Sequence, residues 1–271
     1  MKQAQVLAAL VKGNSIRSTV RMTGVAKNTI VKLLADVGKA CAEYQDKTLR
    51  NLTCKHIQCD EIWSFCYSKE KNIPESKQGQ FGYGNIWTWT AIDADTKLIP
   101  SWLVSDRTAC AATEFIKDLA GRLSNRIQLT TDGHKAYLEA VEDAFCSEID
   151  YAMLVKLYGK SPETPETRYS PAKCAGALKV PVTGKPDRKN ISTSYVERQN
   201  LTMRMSMRRF TRLTNGFSKK VENHVHALSL YFMYYNFCRI HQTLRVTPAM
   251  KAKVTDHLWE IEDVISLLSS K

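Results

Sequence analysis

The sequence predicts a mixed α/β chain, a sheet flanked by helices, with a small all-α unit at its N-terminus. Three observations carry this expectation. Helical periodicity alone runs through 3–42, three aromatic and β-branched runs follow between 56 and 104, and helix-like and strand-like stretches then alternate. At 271 residues and 44% hydrophobic content the chain can bury a real core, and its length suits one large domain plus a small one.

The first expected helix, 3–11, is broken by Gly13-Asn14. Ser15 then offers an N-cap for 16–22, Gly24 a turn, and 26–42 a longer helix with Ile30, Leu33, Leu34 and Val37 on one face. A short helix, a glycine turn and a second helix make the helix-turn-helix pattern, whose last helix can lie in the major groove of DNA. Lys27, Asn28, Thr29 and Lys32 stand at the start of that helix, where each can hydrogen-bond to bases or phosphates. A plain three-helix packing unit would show the same periodicity. The local charge favours DNA, with nine Lys or Arg against three acids in 1–50. Residues 43–51 read as a linker or helix tail, so 1–50 is expected as a DNA-binding domain and 51–271 as a second domain.

That second domain opens with three expected antiparallel strands, 56–65, 81–93 and 97–104, the last two joined by the tight turn Asp93-Ala94-Asp95-Thr96. A helix at 109–123, a strand at 126–131 ending in Asp132-Gly133, a helix at 134–145 and a strand at 149–155 follow. Three strands and then alternating helices and strands is the order of a ribonuclease H-like mixed sheet. Residues 159–190 hold prolines at 162, 165, 171, 181 and 186 with little periodicity, and read as a Pro-rich loop or flap. Helices are expected again over 194–209, 219–235 and 258–268.

The formal charge of +12, from 39 Lys and Arg against 27 acids, and a pI near 9.3 point to a polyanionic partner. Clustered cations gain free energy by releasing counterions from phosphates, which puts nucleic acid first among such partners. A second basic surface is implied by seven cations against one acid in 194–220. No apolar stretch approaches the roughly 20 residues of a membrane span, and the N-terminus lacks the apolar run of a signal peptide. The expectation is a soluble, cytoplasmic, nucleoid-associated protein with no membrane partner. None of the eight cysteines forms a C-x-x-C pair, so reduced, mostly buried thiols are expected ahead of zinc or disulfides.

Phosphoryl transfer between DNA strands needs an activated oxygen nucleophile, a stabilised leaving oxygen and neutralised phosphate charge. Two Mg²⁺ or Mn²⁺ ions about 4 Å apart supply all three, and hard ions want carboxylate oxygens. The chain offers Asp60 inside a strand, Asp132 at the exit of another and Glu197 on a helix. The first and fourth strands of a ribonuclease H-like sheet are neighbours, so Asp60 and Asp132 are expected side by side, with Glu197 closing a catalytic, metal-holding site.

A carboxylate in an apolar strand is costly unless paired or metal-bound, which singles out Asp60. Glu61 competes with it, and because side chains alternate across a strand, only one of the two is expected to face the site. Helix capping would explain Asp132 alone, and a solvated helix charge Glu197 alone. It is their order on these elements that argues for a joint site. Asn200 and Arg204 follow Glu197 on one helical face, and Arg208, Arg209 and Arg212 continue a basic run; all five are candidate DNA contacts. His134, beside Asp132, is another. Arg239 and His241 read as structural.

These same residues carry a resemblance. Cys59-Asp60-Glu61-Ile62-Trp63, Thr131-Asp132-Gly133-His134, Val196-Glu197-Arg198-Gln199-Asn200-Leu201 with Arg204, and the stretch from Phe217 to His224 resemble transposases of the bacterial insertion-sequence-one type. That type lies within the wider DDE, or ribonuclease H-like, recombinases. The tail 235–244, with Thr247-Pro248 after it, is similar to that of many DDE transposases. The resemblance favours Asp60 over Glu61. It implies a metal-dependent endonuclease and strand transferase that binds terminal inverted repeats, joins them to target DNA and acts as a homo-oligomer, dimer or higher. It departs at the N-terminus, where relatives often carry a Cys-rich zinc-binding module and this chain starts directly at the helix-turn-helix. Two rivals share many of these features: a non-enzymatic DNA-binding regulator derived from a transposase, and a ribonuclease H-like structure-specific nuclease without strand transfer.

Overall fold

Ser15 caps the second helix as its sequence position predicts, its hydroxyl accepting from Ser18 N, and Gly24 closes that helix in the left-handed region at φ 69°. The computed structural model describes residues 2–159, 174–211 and 215–269. Three helices open the chain: α1 (Lys2–Val11), α2 (Ile16–Thr23) and α3 (Lys27–Thr48). α3 runs on to Thr48, so most of the segment expected as a linker or helix tail is helix tail, with work in the core. Buried Gln45 donates to Cys41 O and to Ser229 O on a later helix.

The strands are β1 (His56–Cys66), β2 (Gly84–Asp93), β3 (Trp102–Ser105), β4 (Gln128–Asp132), β5 (Asp150–Tyr158) and β6 (Cys174–Thr183). They form one mixed sheet in the order β3-β2-β1-β4-β5-β6. β1 pairs antiparallel with β2 and parallel with β4, and β4 is parallel to β5. First and fourth strands are thus neighbours, an arrangement compatible with the expected ribonuclease H-like sheet. β3 is shorter than expected: Pro100 has no N–H to give a ladder, and the backbone of Ile99 is bound on both sides by buried Asn236.

The Pro-rich segment needs correction. Its 174–183 part is strand β6, antiparallel to β5, with Pro181 opposite Ala152. As the last strand of the sheet β6 needs no donors on its outer side, which is where a strand proline is tolerated. The remainder of that expectation over 160–173 lies outside the described residues.

Helices α4 (Ala109–Ala120) and α5 (Ala136–Phe145) connect the parallel strands, and α6 (Ser194–Ser206), α7 (Val221–Met233), α8 (Pro248–Lys251) and α9 (Ile261–Ser266) follow the sheet. Two apolar clusters result. One joins Phe115, Leu129 and Tyr137 with Leu7, Leu34 and Val37 of the first three helices; the other packs Ile62 and Ile92 against Val196, Met203 and Phe232. Position 50 therefore marks a change of secondary structure, while the packing runs on across it. Where α3 crosses α7, a Cβ on Gly38 would stand 2.5 Å from His226 Cβ, so the two backbones meet with no room for a side chain.

Candidate active site

β1 and β4 pair in parallel only as far as Cys59 opposite Thr131. Asp60 and Glu61 therefore lie just past the last shared rung, next to Asp132 at the end of β4. Ligand oxygens of these three acids all lie within 4.8 Å of one another. The expectation that only one of Asp60 and Glu61 could face the site is corrected here. The pair still alternates across the strand, but with the pairing to β4 ended both side chains reach the gap above Asp132.

Glu197 is brought to the same end of the sheet by a tie that β1 itself supplies. Gln58 Oε1 accepts from the N–H groups of Tyr195 (2.8 Å) and Val196 (3.2 Å), capping the start of α6, where the Thr193 side chain accepts no backbone N–H. The Glu197 carboxylate is engaged by Lys156 Nζ of β5 at 2.6 Å and by the Thr193 hydroxyl. It is close enough to repel Asp60 but stands outside the cluster formed by the other three acids.

The cluster carries more negative charge than its surroundings neutralise. Burial pushes Asp60 up to about 7, with repulsion from Asp132 adding to it; burial and the same neighbour push Glu61 up to about 7. Arg107 is the compensating cation. Its guanidinium lies 3.1 Å from Glu61 Oε2 and 3.8 Å from Asp132 Oδ2, over the ring of Trp87. The Glu61 side chain is fully enclosed, and the buried Tyr137 hydroxyl beside it favours its charged form against that burial. Burial works against the charge on Lys156, and the bond to Glu197 more than offsets it, raising that ammonium's pKa.

Two candidates expected to touch DNA also hold the acids. Asn200 Nδ2 donates to Asp60 Oδ2 at 2.8 Å, while its own Oδ1 is buried without a partner. His134 gives its backbone N–H to Asp132 Oδ1 at 2.9 Å. Its ring stacks on Trp89 with Nε2 buried, so a DNA contact would fall to the other nitrogen. Arg209 is turned inward: it donates to Ser218 Oγ at 2.6 Å, and burial lowers it to about 10. It remains partly exposed and lines a cleft beside Arg208. Arg204 is half-buried on α6, Arg208 is exposed, and Arg212 lies outside the described residues. Lys27, Asn28, Thr29 and Lys32 are all exposed at the start of α3.

Arg107 and Lys156 escaped the reading of the sequence. Lys156 left a trace there, a lone cation inside the apolar run Tyr151 to Leu157. Arg107 sits in an ordinary polar turn and left none.

No family model matches the chain, and no curated protein does. Among solved structures, it is similar to a piggyBac transposase in a synaptic complex with hairpin DNA. The likeness spans 99% of this chain and 69% of that one, at 11% identity and a TM-score of 0.40, a level that carries no argument for fold or function. No helix among the described residues is long and apolar enough to cross a membrane.

Proposed function

We propose that the chain is a DDE-type transposase of the insertion-sequence-one kind, which cuts transposon ends at their terminal inverted repeats and joins them to target DNA. The observation that carries this reading is the convergence of Asp60, Glu61 and Asp132 within 4.8 Å beside Glu197, on a basic chain. Acids so close, two of them held near 7 by burial and by repulsion from Asp132, suit a divalent cation. Asp60, Glu61 and Asp132 would hold Mg²⁺ or Mn²⁺, with Glu197 released from Lys156 to join them. Two ions held by these residues would supply activation of an attacking water or 3′-hydroxyl and neutralisation of the scissile phosphate.

The chain's own groups set the stage for that chemistry. Asn200 fixes the orientation of Asp60, the backbone of His134 fixes Asp132, and Arg107 holds Glu61. No protein nucleophile is required. Exposed residues at the start of α3 would read the terminal repeat, and pairing of two ends calls for a homo-oligomer. The site of action would be the cytoplasm, at the nucleoid.

The test is strand transfer of a labelled, pre-cut transposon end into plasmid with Mg²⁺ or Mn²⁺, comparing wild type with Asp132→Ala. Joining by wild type alone is expected. Joining by both overturns the carboxylate mechanism, and tight end binding with no joining by wild type favours a transposase-derived regulator. Cleavage without joining favours a structure-specific nuclease.

A further inference from the structure

A second feature lies where the first three helices meet the segment after α6. A cleft of about 940 Å³ opens between the start of α3, the α1–α2 turn and residues 207–209 and 215–220. Arg17, Lys27, Arg208, Lys219 and Lys220 line it, all exposed, with no acidic residue among the described lining. None of the five is in an ion pair among the described residues. A like-charged set of this kind repels itself unless an anion sits among it. The cleft is nevertheless not polar throughout: Val31, Ala227 and Phe217 give it an apolar floor, and the amides of Asn28 and Asn223 face it. Beside it the α1–α2 turn meets the end of α6, where a Cβ on Gly13 would stand 2.8 Å from Ser206 O.

The geometry points to a seat for single-stranded nucleic acid, in which phosphates meet the five cations and a base lies against Phe217. Its volume falls in the ~300–1,000 Å³ range of sites that enclose small groups. A duplex takes a helix into its major groove, about 12 Å wide, so its place would be on the outer face of α3, beside the cleft. Charged walls with an aromatic floor are what alternating phosphate and base require. The Phe217 ring packs on Phe65 at 4.7 Å, with the Lys219 ammonium 3.8 Å over it. A flexible lysine stem can yield that face to a base and keep its charge for the adjoining phosphate. Met207, on the cleft wall, is ten residues past Glu197, about 15 Å along at helical rise. A strand leaving the acids along α6 therefore arrives here. The choice of nucleic acid rests on the transposase reading, but the binding itself needs neither the acids nor a metal.

The experiment measures binding of fluorescein-labelled oligo-dT, about a dozen nucleotides long, to the full chain in EDTA across a salt series. Lys219→Glu/Lys220→Glu should weaken it by more than about tenfold and flatten the salt dependence by roughly 0.7 for each phosphate no longer bound. Lys251→Glu/Lys253→Glu makes the same charge change at exposed positions outside the cleft and should leave binding near wild type. Phe217→Leu keeps an apolar side chain on Phe65 and should cost about tenfold with the salt slope unchanged, the loss of one stacked base. Equal losses from the two lysine pairs, no effect of Phe217→Leu, displacement by free dTMP, or a duplex that loses as much as the single strand would each overturn the inference. Failure of strand transfer alone would not, because no chemistry is read.

Discussion

At the scale of single residues, the acids decide what the site can do and when. Asp60 and Glu61 sit near 7 in the fold against ordinary values of 3.8 and 4.5. Between about 4 and 7 the folded protein therefore holds protons that the unfolded chain has released. Their contribution to stability falls as pH rises through that window, by up to ~1.4 kcal/mol per pH unit for each group, against an opposite slope from one buried group, His224, pushed down to about 3. A divalent ion held by these acids would require them deprotonated and would offset the loss. Metal-free protein should melt at a lower temperature at pH 8 than at pH 5, and Mn²⁺ should raise the melting temperature at pH 8 with little effect at pH 5. Glu61→Gln should shrink both responses while preserving shape. Calorimetry with and without Mn²⁺ checks this; equal metal shifts at the two pH values would remove the acids from the binding site.

Elements place those residues, and the crossing of α3 on α7 is the tightest example. Gly38 lets the two helices touch, and Ser229 Oγ donates to Gly38 O at 2.7 Å across the contact. Gly38→Val would drive a branched side chain into His226 and force the helices apart, at a cost of about 1–3 kcal/mol. Urea unfolding of the variant reads that loss directly, and an unchanged midpoint would mean the helices are less closely held than their spacing implies. α6 shows the same logic applied to chemistry. A glutamine on β1 caps it and a tyrosine on α7 accepts from its Gln199, so the helix bearing Glu197 is fixed at both its start and its middle.

The whole molecule follows from the shared core. Leu7, Leu34 and Val37 of the first helices lie in one apolar cluster with Leu129 of β4 and Phe237 near the end of the chain. Helices and sheet should therefore unfold together, in a single transition seen alike by far-UV circular dichroism and by the tryptophans of the sheet. Two resolved transitions would make the first 50 residues an independent unit. The excess of cations over acids adds a field that falls with salt, so DNA association should slow as ionic strength rises.

The elements of this fold are legible along the chain wherever the cause is local: Ser15 and Gly24 bound a helix, and aromatic runs mark β1 and β2, because caps and periodicity act within a few residues. Asp60 is legible too, since an acid in an apolar strand asks for a partner. Strand β6 is not, because its proline is tolerable only on an edge, and a strand becomes an edge only when the sheet is assembled. The role of Glu61 depends on where β1 and β4 stop pairing, a property of two segments some 70 residues apart. Arg107 and Lys156 acquire their partners the same way, and the cationic cleft exists only where Lys27 and Lys219 meet. Local sequence carries the covalent and conformational preferences of each stretch, whereas charge neutralisation and enclosure arise between stretches and appear only once the chain has folded.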